Sequence, residues 1–188
     1  MENKNLEEKL NKIKAVAFDG DGVLFTGRVL IDPIKGEILK ERSYVDGQGI
    51  SLLRSAGLRI AFVSGEKTGF IEKLGEKLNS LPSVKKGKWP KIAFFVGCQG
   101  GNKVEAIENW LKEIGVDWSE CAAMGDDLAD YQLLKKVGLA VVPSQADTII
   151  KEIAHYITPR EGGNGAIRDF SNLILKTKGI NPTLLNLR

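Results

Sequence analysis

Short apolar runs alternate along this chain with stretches in which apolar residues recur every three or four positions. The runs read as buried strands and the periodic stretches as amphipathic helices. Their alternation predicts an α/β fold, a three-layer Rossmann-like parallel sheet with flanking helices. Leu6, Leu10 and Ile13 share a face of a first helix, which leads into a strand over 14–19. Two extended pieces over 28–31 and 37–44 follow, joined by Asp32-Pro33-Ile34-Lys35-Gly36, where proline and glycine supply turn geometry. Residues 27–44 are therefore expected to form a projecting β-hairpin flap. A helix from about residue 49 precedes a strand over 58–63, and Ile71, Leu74 and Leu78 mark the next helix. Pro, Ser, Lys and Gly dominate 81–90, which predicts a loop before the apolar run 92–96. Asn102, with Glu105 three residues on, offers an N-cap for a helix that aligns Val104, Ile107, Leu111 and Ile114. A strand over 121–124, a helix carrying Asp130, Leu133 and Leu134, a strand over 139–142 and closing segments over 155–158 and 166–175 complete the alternation.

Composition narrows the class. With 188 residues, 43% hydrophobic and 27% charged, the chain suits one domain over 1–188 with its own core, which disfavours disorder and coiled coil. No apolar run approaches the ~20 residues that span a bilayer. The charged start has no apolar segment behind it, so a cytoplasmic protein without membrane association is expected. The net charge of +3 is small, and the densest basic run, Lys85, Lys86, Lys88 and Lys91, reads as a solvated loop holding Trp89, so nucleic acid is not indicated. Cys98 and Cys121 are isolated and read as reduced packing residues. His155, the single histidine, leaves no room for a histidine-pair metal site and reads as a strand-end residue. Neither a dinucleotide fingerprint nor a P-loop is present.

Candidate chemistry collects where open α/β sheets bind ligands, at the carboxyl ends of the strands. Asp19 and Asp21 end the first strand, Ser64 with Gly65 the second, Lys103 opens the helix after the third, and Asp126 with Asp127 end the fourth. Taken singly, these are a turn, a helix cap, a surface lysine and a helix N-terminus. Their shared placement and order carry the reading. A calcium loop starting at Asp19 fails, because its fifth, sixth and twelfth positions would be Val23, Leu24 and Leu30. Magnesium fits better: it takes few carboxylates, keeps waters and bridges to phosphate, and it would offset the repulsion of gathered acids.

The order Asp-x-Asp, Ser, Lys, Gly-Asp-Asp resembles the haloacid dehalogenase superfamily of phosphohydrolases, through Phe18-Asp19-Gly20-Asp21-Gly22-Val23, Val63-Ser64-Gly65, Lys103 and Gly125-Asp126-Asp127. Asp21-Gly22-Val23-Leu24, Asp46-Gly47-x-Gly49-Ile50, Gly125-Asp126-Asp127-Leu128-x-Asp130 and Gly162-Gly163-x-Gly165-Ala166-x-Arg168 are similar to its small capless branch. That branch holds phosphatases of 3-deoxy-manno-octulosonate 8-phosphate and of nine-carbon sialic-acid-type 9-phosphates, as well as domains fused to cytidylyltransferases. The resemblance implies that Asp19 attacks phosphorus to form an aspartyl phosphate and that Asp21 serves as acid and then base. It implies Mg2+ held by Asp19, the Asp21 carbonyl and Asp126, with Lys103 as a further positive charge. Ser64 with the backbone of Gly22 and Gly65 would bind the transferring group, and Asp127 would support the metal shell. It also implies a homotetramer in which one subunit's hairpin closes a neighbour's site.

Octulosonate enzymes usually carry arginine before the equivalent of Asp46-Gly47 and after that of Ser64-Gly65, where this chain has Val45 and Glu66. Glu66 and Lys77 look more like the nine-carbon members, so a 2-keto-3-deoxynononate or N-acetylneuraminate 9-phosphate is expected, with the eight-carbon sugar as alternative and a non-catalytic oligomerisation or sugar-acid-binding domain as second alternative. A two-component receiver is set aside because the third strand ends Val96-Gly97-Cys98, without an acid. Residues 81–91 form a longer insertion than the branch leads one to expect. After Lys176, Pro182, Leu184, Leu185 and Leu187 suggest a tail docked on its own body or on a neighbour.

Overall fold

The computed structural model describes residues 2–99 and 101–185. Six parallel strands form the main sheet in the order β5-β4-β1-β6-β7-β8. They are β1 (Ala15–Asp19), β4 (Arg59–Val63), β5 (Ala93–Phe95), β6 (Cys121–Met124), β7 (Leu139–Val142) and β8 (Tyr156–Ile157). A separate two-stranded antiparallel ladder pairs β2 (Val29–Asp32) with β3 (Gly36–Lys40). The expected strand boundaries over 121–124 and 139–142 are reproduced to the residue.

Helices cover both faces: α1 (Glu2–Lys12), α2 (Tyr44–Ser55), α3 (Phe70–Asn79) and α8 (Ala166–Thr177) on one, α5 (Gly101–Ile114), α6 (Tyr131–Lys136) and α7 (Thr148–Glu152) on the other. Between β4 and β5 lies the short α4 (Pro82–Lys85). The two-residue period of each strand divides the core. Val16, Phe18, Ile60, Phe62 and Met124 face Leu10, Ile50, Leu53, Phe170 and Ile174, whereas Ala15, Ala17, Ala61 and Ala123 face Ile107, Trp110, Leu111 and Leu134. The second face is built of small side chains, so bulky ones such as Trp110 fill that layer to native density.

Four expectations shift. The second extended piece ends at Lys40, and α2 starts at Tyr44 on an N-cap whose Ser43 Oγ accepts a hydrogen bond from Val45 N. Gly47 and Gly49 hid this helix, and packing accounts for the second: a Cβ on Gly49 would lie 3.0 Å from Arg168 Cα, so glycine lets α2 and α8 approach closely. The insertion over 81–90 is not a purely solvated loop, since Ser83, Val84 and Trp89 are buried. Arg54, fully buried, donates from its guanidinium to the carbonyls of Leu78 and Pro90 and to Asn79 Oδ1, and its Cζ lies 5.6 Å from the centre of the Trp89 ring. Helix α5 begins at Gly101, so Asn102 lies inside it rather than capping it. Leu184 is 82% exposed and is not docked on the body, and Leu187 lies outside the described residues.

The bland readings of the remaining landmarks match the packing. Ala140 N donates to His155 Nδ1 at 2.9 Å, tying β7 to the start of the last strand. Burial pushes the Cys121 thiol up to about 12, which makes it inert. Among the described residues no helix is long and apolar enough to cross a membrane.

Candidate active site

Register brings the polar residues to one edge. Asp19 pairs with Val63 across the sheet and Phe18 with Met124, so the chain leaves β1, β4 and β6 at a common level as Asp19, Ser64 and Gly125. The turn after β1 is tight: Leu24 N and Phe25 N both donate to the Gly20 carbonyl, and Gly22 has φ +77°. Any side chain at Gly22 would place its Cβ 1.9 Å from Asp126 Oδ2, so a left-handed backbone and a close approach both require glycine there. At Gly20 a Cβ would lie 2.9 Å from Ser64 Oγ.

Lys103 reaches in from the first turn of α5. Its buried ammonium donates to Asp19 Oδ1 at 2.5 Å and to Asp130 Oδ1 at 2.7 Å. Asp130 Oδ2 in turn accepts from Asp126 N at 3.1 Å. Carboxylate oxygens of Asp19, Asp126 and Asp130 lie within 4.8 Å of one another. One ammonium against three carboxylates leaves two negative charges without a protein partner, a donor set that fits a divalent cation. Because both oxygens of Asp130 already accept hydrogen bonds, its part is to hold Lys103 and the Asp126 backbone, which leaves Asp19 and Asp126 free to coordinate.

The electrostatics agree with the charge count. Burial and then the Asp130 charge hold the Asp19 carboxyl well above its usual range, although Lys103 pulls the other way. Burial, reinforced by Asp130 and Asp127, pushes Asp126 up to about 7. Burial alone would weaken Lys103, but Asp19 and Asp130 outweigh it and the ammonium is held above its ordinary value.

These residues line a cavity of about 430 Å³. Asp21, Gly22, Ser64, Gly65 and Glu66 line it as well, so the structure brings together all but one of the residues expected from sequence. Ser64 Oγ accepts from Glu66 N at 3.1 Å, which leaves its hydroxyl hydrogen free for a ligand. Asp127 borders the cavity too, but its carboxylate accepts from Leu128 N, a capping task. Lys77 is the exception: its ammonium sits 6.0 Å from the centre of the Tyr44 ring and is not among the residues lining the cavity.

Sequence reading passed over Gln99, Ala129 and Gln145, and it held Asp130, Asp46 and the stretch over 162–168 as motif residues without their contacts in the structure. Asp130 was legible as a helix residue and as the end of the Gly125-Asp126-Asp127-Leu128-x-Asp130 motif, but it was given no role at the site, though its spacing from Asp126 puts it one turn along. Gln99, Gly27 and Ala129 complete the rim. Gln145 donates to the Gly22 carbonyl at 2.7 Å and accepts from Gly162 N at 2.9 Å, and a Cβ on Gly162 would overlap the Gly22 carbonyl oxygen. Asp46 accepts from Gly165 N and Arg168 N, fixing the start of α8 behind that contact. The Gly162-Gly163 turn thus clamps the Asp21–Val23 loop from outside.

Residues 60–168 match the haloacid dehalogenase-like hydrolase family. The chain is 30% identical over 178 residues to the 3-deoxy-D-manno-octulosonate 8-phosphate phosphatase of Haemophilus influenzae, covering 93% of this chain and 89% of that one. Among solved structures, a haloacid dehalogenase superfamily hydrolase of subfamily III A from Legionella pneumophila matches with TM-score 0.83 and 33% identity over 95% of this chain and 90% of that one. The 3-deoxy-D-manno-octulosonate 8-phosphate phosphatase of Moraxella catarrhalis, in complex with magnesium, phosphate and the sugar acid, matches with TM-score 0.81 and 26% identity over 94% and 93%. The matched span runs from β4 to the start of α8 and so includes the lysine and the acidic pair found by geometry, and on this footing the chain belongs to the haloacid dehalogenase-like hydrolases.

Proposed function

We propose that this chain is a magnesium-dependent phosphatase that hydrolyses the phosphate monoester of a 2-keto-3-deoxy sugar acid, with 3-deoxy-manno-octulosonate 8-phosphate as substrate. The observation that carries the reaction type is the buried Asp19–Lys103–Asp130 network opening into a cavity beside Asp21. The sugar is supported by relatives of that name over nearly the whole chain.

Lys103 holds Asp19 Oδ1, which leaves Oδ2 to attack phosphorus. As the Asp19–phosphorus bond forms, the bond to the sugar oxygen breaks, and the Asp21 proton moves to that oxygen. Free sugar, aspartyl phosphate and an Asp21 carboxylate result. The carboxylate then takes a proton from water, whose oxygen attacks phosphorus and releases phosphate, restoring both aspartates. Asp19 and Asp126, with the Asp21 carbonyl, would hold the magnesium ion, which when bound supplies charge neutralisation of the phosphate oxygens. Ser64 and the Gly22 and Gly65 backbone would bind the transferring group, and Asp127 orders the loop beside Asp126.

A second reading, the nine-carbon sugar, is favoured by one observation: the carboxylate of Glu66 stands on the cavity rim. A carboxylate reads sugar hydroxyls, whereas an arginine there would read the sugar carboxylate. Lys77, off the cavity of its own subunit, would serve this reading only across a subunit boundary. The hairpin tip, with Leu30, Ile31, Ile34 and Leu39 exposed, supports a homotetramer in which it packs on a neighbour. Cytoplasmic residence and delivery of the free sugar acid to a cytidylyltransferase belong to the same reading.

The test is phosphate release from octulosonate 8-phosphate and nonulosonate 9-phosphate, with magnesium and after chelation. Magnesium-dependent release, faster from the eight-carbon ester, is expected. Release faster from the nine-carbon ester moves the assignment to the second reading, and no release from any phosphate ester leaves a non-catalytic sugar-acid-binding domain.

A further inference from the structure

The hairpin also enters the site of its own subunit. Lys40 ends β3, at the base of the ladder, and its side chain is 2% exposed although lysine is among the residues least often buried. The ammonium donates to Asp21 Oδ2 at 2.8 Å, lies 3.2 Å from Glu37 Oε2 and stands 5.6 Å from the centre of the Phe70 ring. Two carboxylates and an aromatic face thus hold one cation in place, and Phe70 in turn packs edge-on against Phe25 of the loop that follows Asp21.

The other Asp21 oxygen, Oδ1, is shielded from solvent and has no hydrogen-bond partner among the described residues. An ammonium carries donors only. Lys40 is thus the one protein group that anchors this carboxyl among the described residues, through Oδ2.

We propose that Lys40 is a positioning residue for the Asp21 carboxyl group: held itself by Glu37 and by the face of Phe70, its ammonium grips Asp21 Oδ2 and fixes that carboxyl in one orientation at the cavity wall. This rests on the assignment of Asp21 as acid and base. It gives the hairpin two separate duties, with its base completing the site of its own subunit and its tip left for a neighbour.

Leaving-group dependence tests the role. An alkyl sugar-acid phosphate needs the Asp21 proton to expel its alkoxide, whereas p-nitrophenyl phosphate expels a stable phenolate without it. Single-turnover rates with magnesium are compared for the wild type, Lys40→Met and Lys40→Arg. Lys40→Met is expected to slow release of the sugar by about 10- to 100-fold. KM and the first release of p-nitrophenol should stay within about threefold, and Lys40→Arg, which keeps donors at that place, should recover most of the alkyl rate. Equal losses on both esters, or no loss on either, would overturn the proposal, the first by showing a general structural role. If Lys40→Met does not fold, Glu37→Gln, which loosens the second anchor of the same ammonium, should show a smaller loss confined to the alkyl ester, and a loss on both esters would again overturn it. A wild type that releases p-nitrophenol but spares both sugar-acid phosphates would overturn the substrate assignment alone, with glycerol phosphate then serving as the alkyl ester. A wild type inert on every ester would overturn both.

Discussion

The floor and the rim of the cavity are built on opposite principles. At the floor, Asp19, Lys103 and Asp130 are buried, joined by short ion pairs and delivered by secondary structure whose register admits one arrangement. At the rim, Glu66 and Gln99 are exposed on loops, and the adjoining hairpin leaves large apolar side chains in solvent. Charges held in a low dielectric interact strongly and need no rearrangement when chemistry begins, whereas exposed groups are screened and replaceable. On the proposed function, the floor fixes the reaction and the rim chooses which molecule undergoes it.

Breaking the floor should cost most. Asp19→Asn should lower kcat on the order of 10⁴-fold with circular dichroism unchanged, as expected of a lost nucleophile in a group-acting set. Retained turnover would remove Asp19 from that role. Lys103→Met should follow with about 10²- to 10³-fold, measured as kcat with saturating magnesium, because it strips the cation that holds both Asp19 and Asp130. The rim should respond more mildly and in a different coordinate. Glu66→Arg should shift the ratio of kcat/KM for the eight-carbon over the nine-carbon ester by about tenfold, with little change in the single-turnover rate on p-nitrophenyl phosphate. A loss on all esters alike would place Glu66 in the machinery instead.

The smallest effect concerns stability. Asp126 ionises near 7 in the metal-free fold against 3.8 for an ordinary aspartate, so between those values the folded chain binds more protons than the unfolded one. The sign follows: this contribution is full below about 4 and is lost as pH rises through about 7. Without metal, Tm should therefore fall by a few degrees from pH 5 to pH 8, and magnesium should raise Tm more at pH 8 than at pH 5. A magnesium shift independent of pH would show that the ion does not bind at Asp126. Asp126→Asn should flatten both curves.

What could be read in the sequence follows the same division. The strands β1, β6 and β7 stood out because buried parallel strands are unbroken apolar runs, and the motif residues stood out because they end those runs. Helix α2 was misplaced at its start because Gly47 and Gly49 look like turn residues, whereas Gly49 is set by the packing of α8, over a hundred residues away in the chain. The same distance hid Gln145, which acts on the Gly22 carbonyl from 123 residues away, whereas Lys40 is only 19 residues past Asp21 and was hidden because nothing local distinguishes a lysine at the end of a hairpin strand from a solvated one. Asp130 was visible as a residue but not as the partner of Lys103, because that pairing depends on α5 and α6 packing side by side.

The hairpin joins β1 to α2 as an excursion that shares no strand with the main sheet. Beyond Lys40 its residues can change, lengthen or shrink without altering the register of Asp19, Ser64 or Asp126. On the proposed function the tip is, in evolutionary terms, nearly uncoupled from catalysis, so a lineage could recruit a new contact there while the reaction itself stood still.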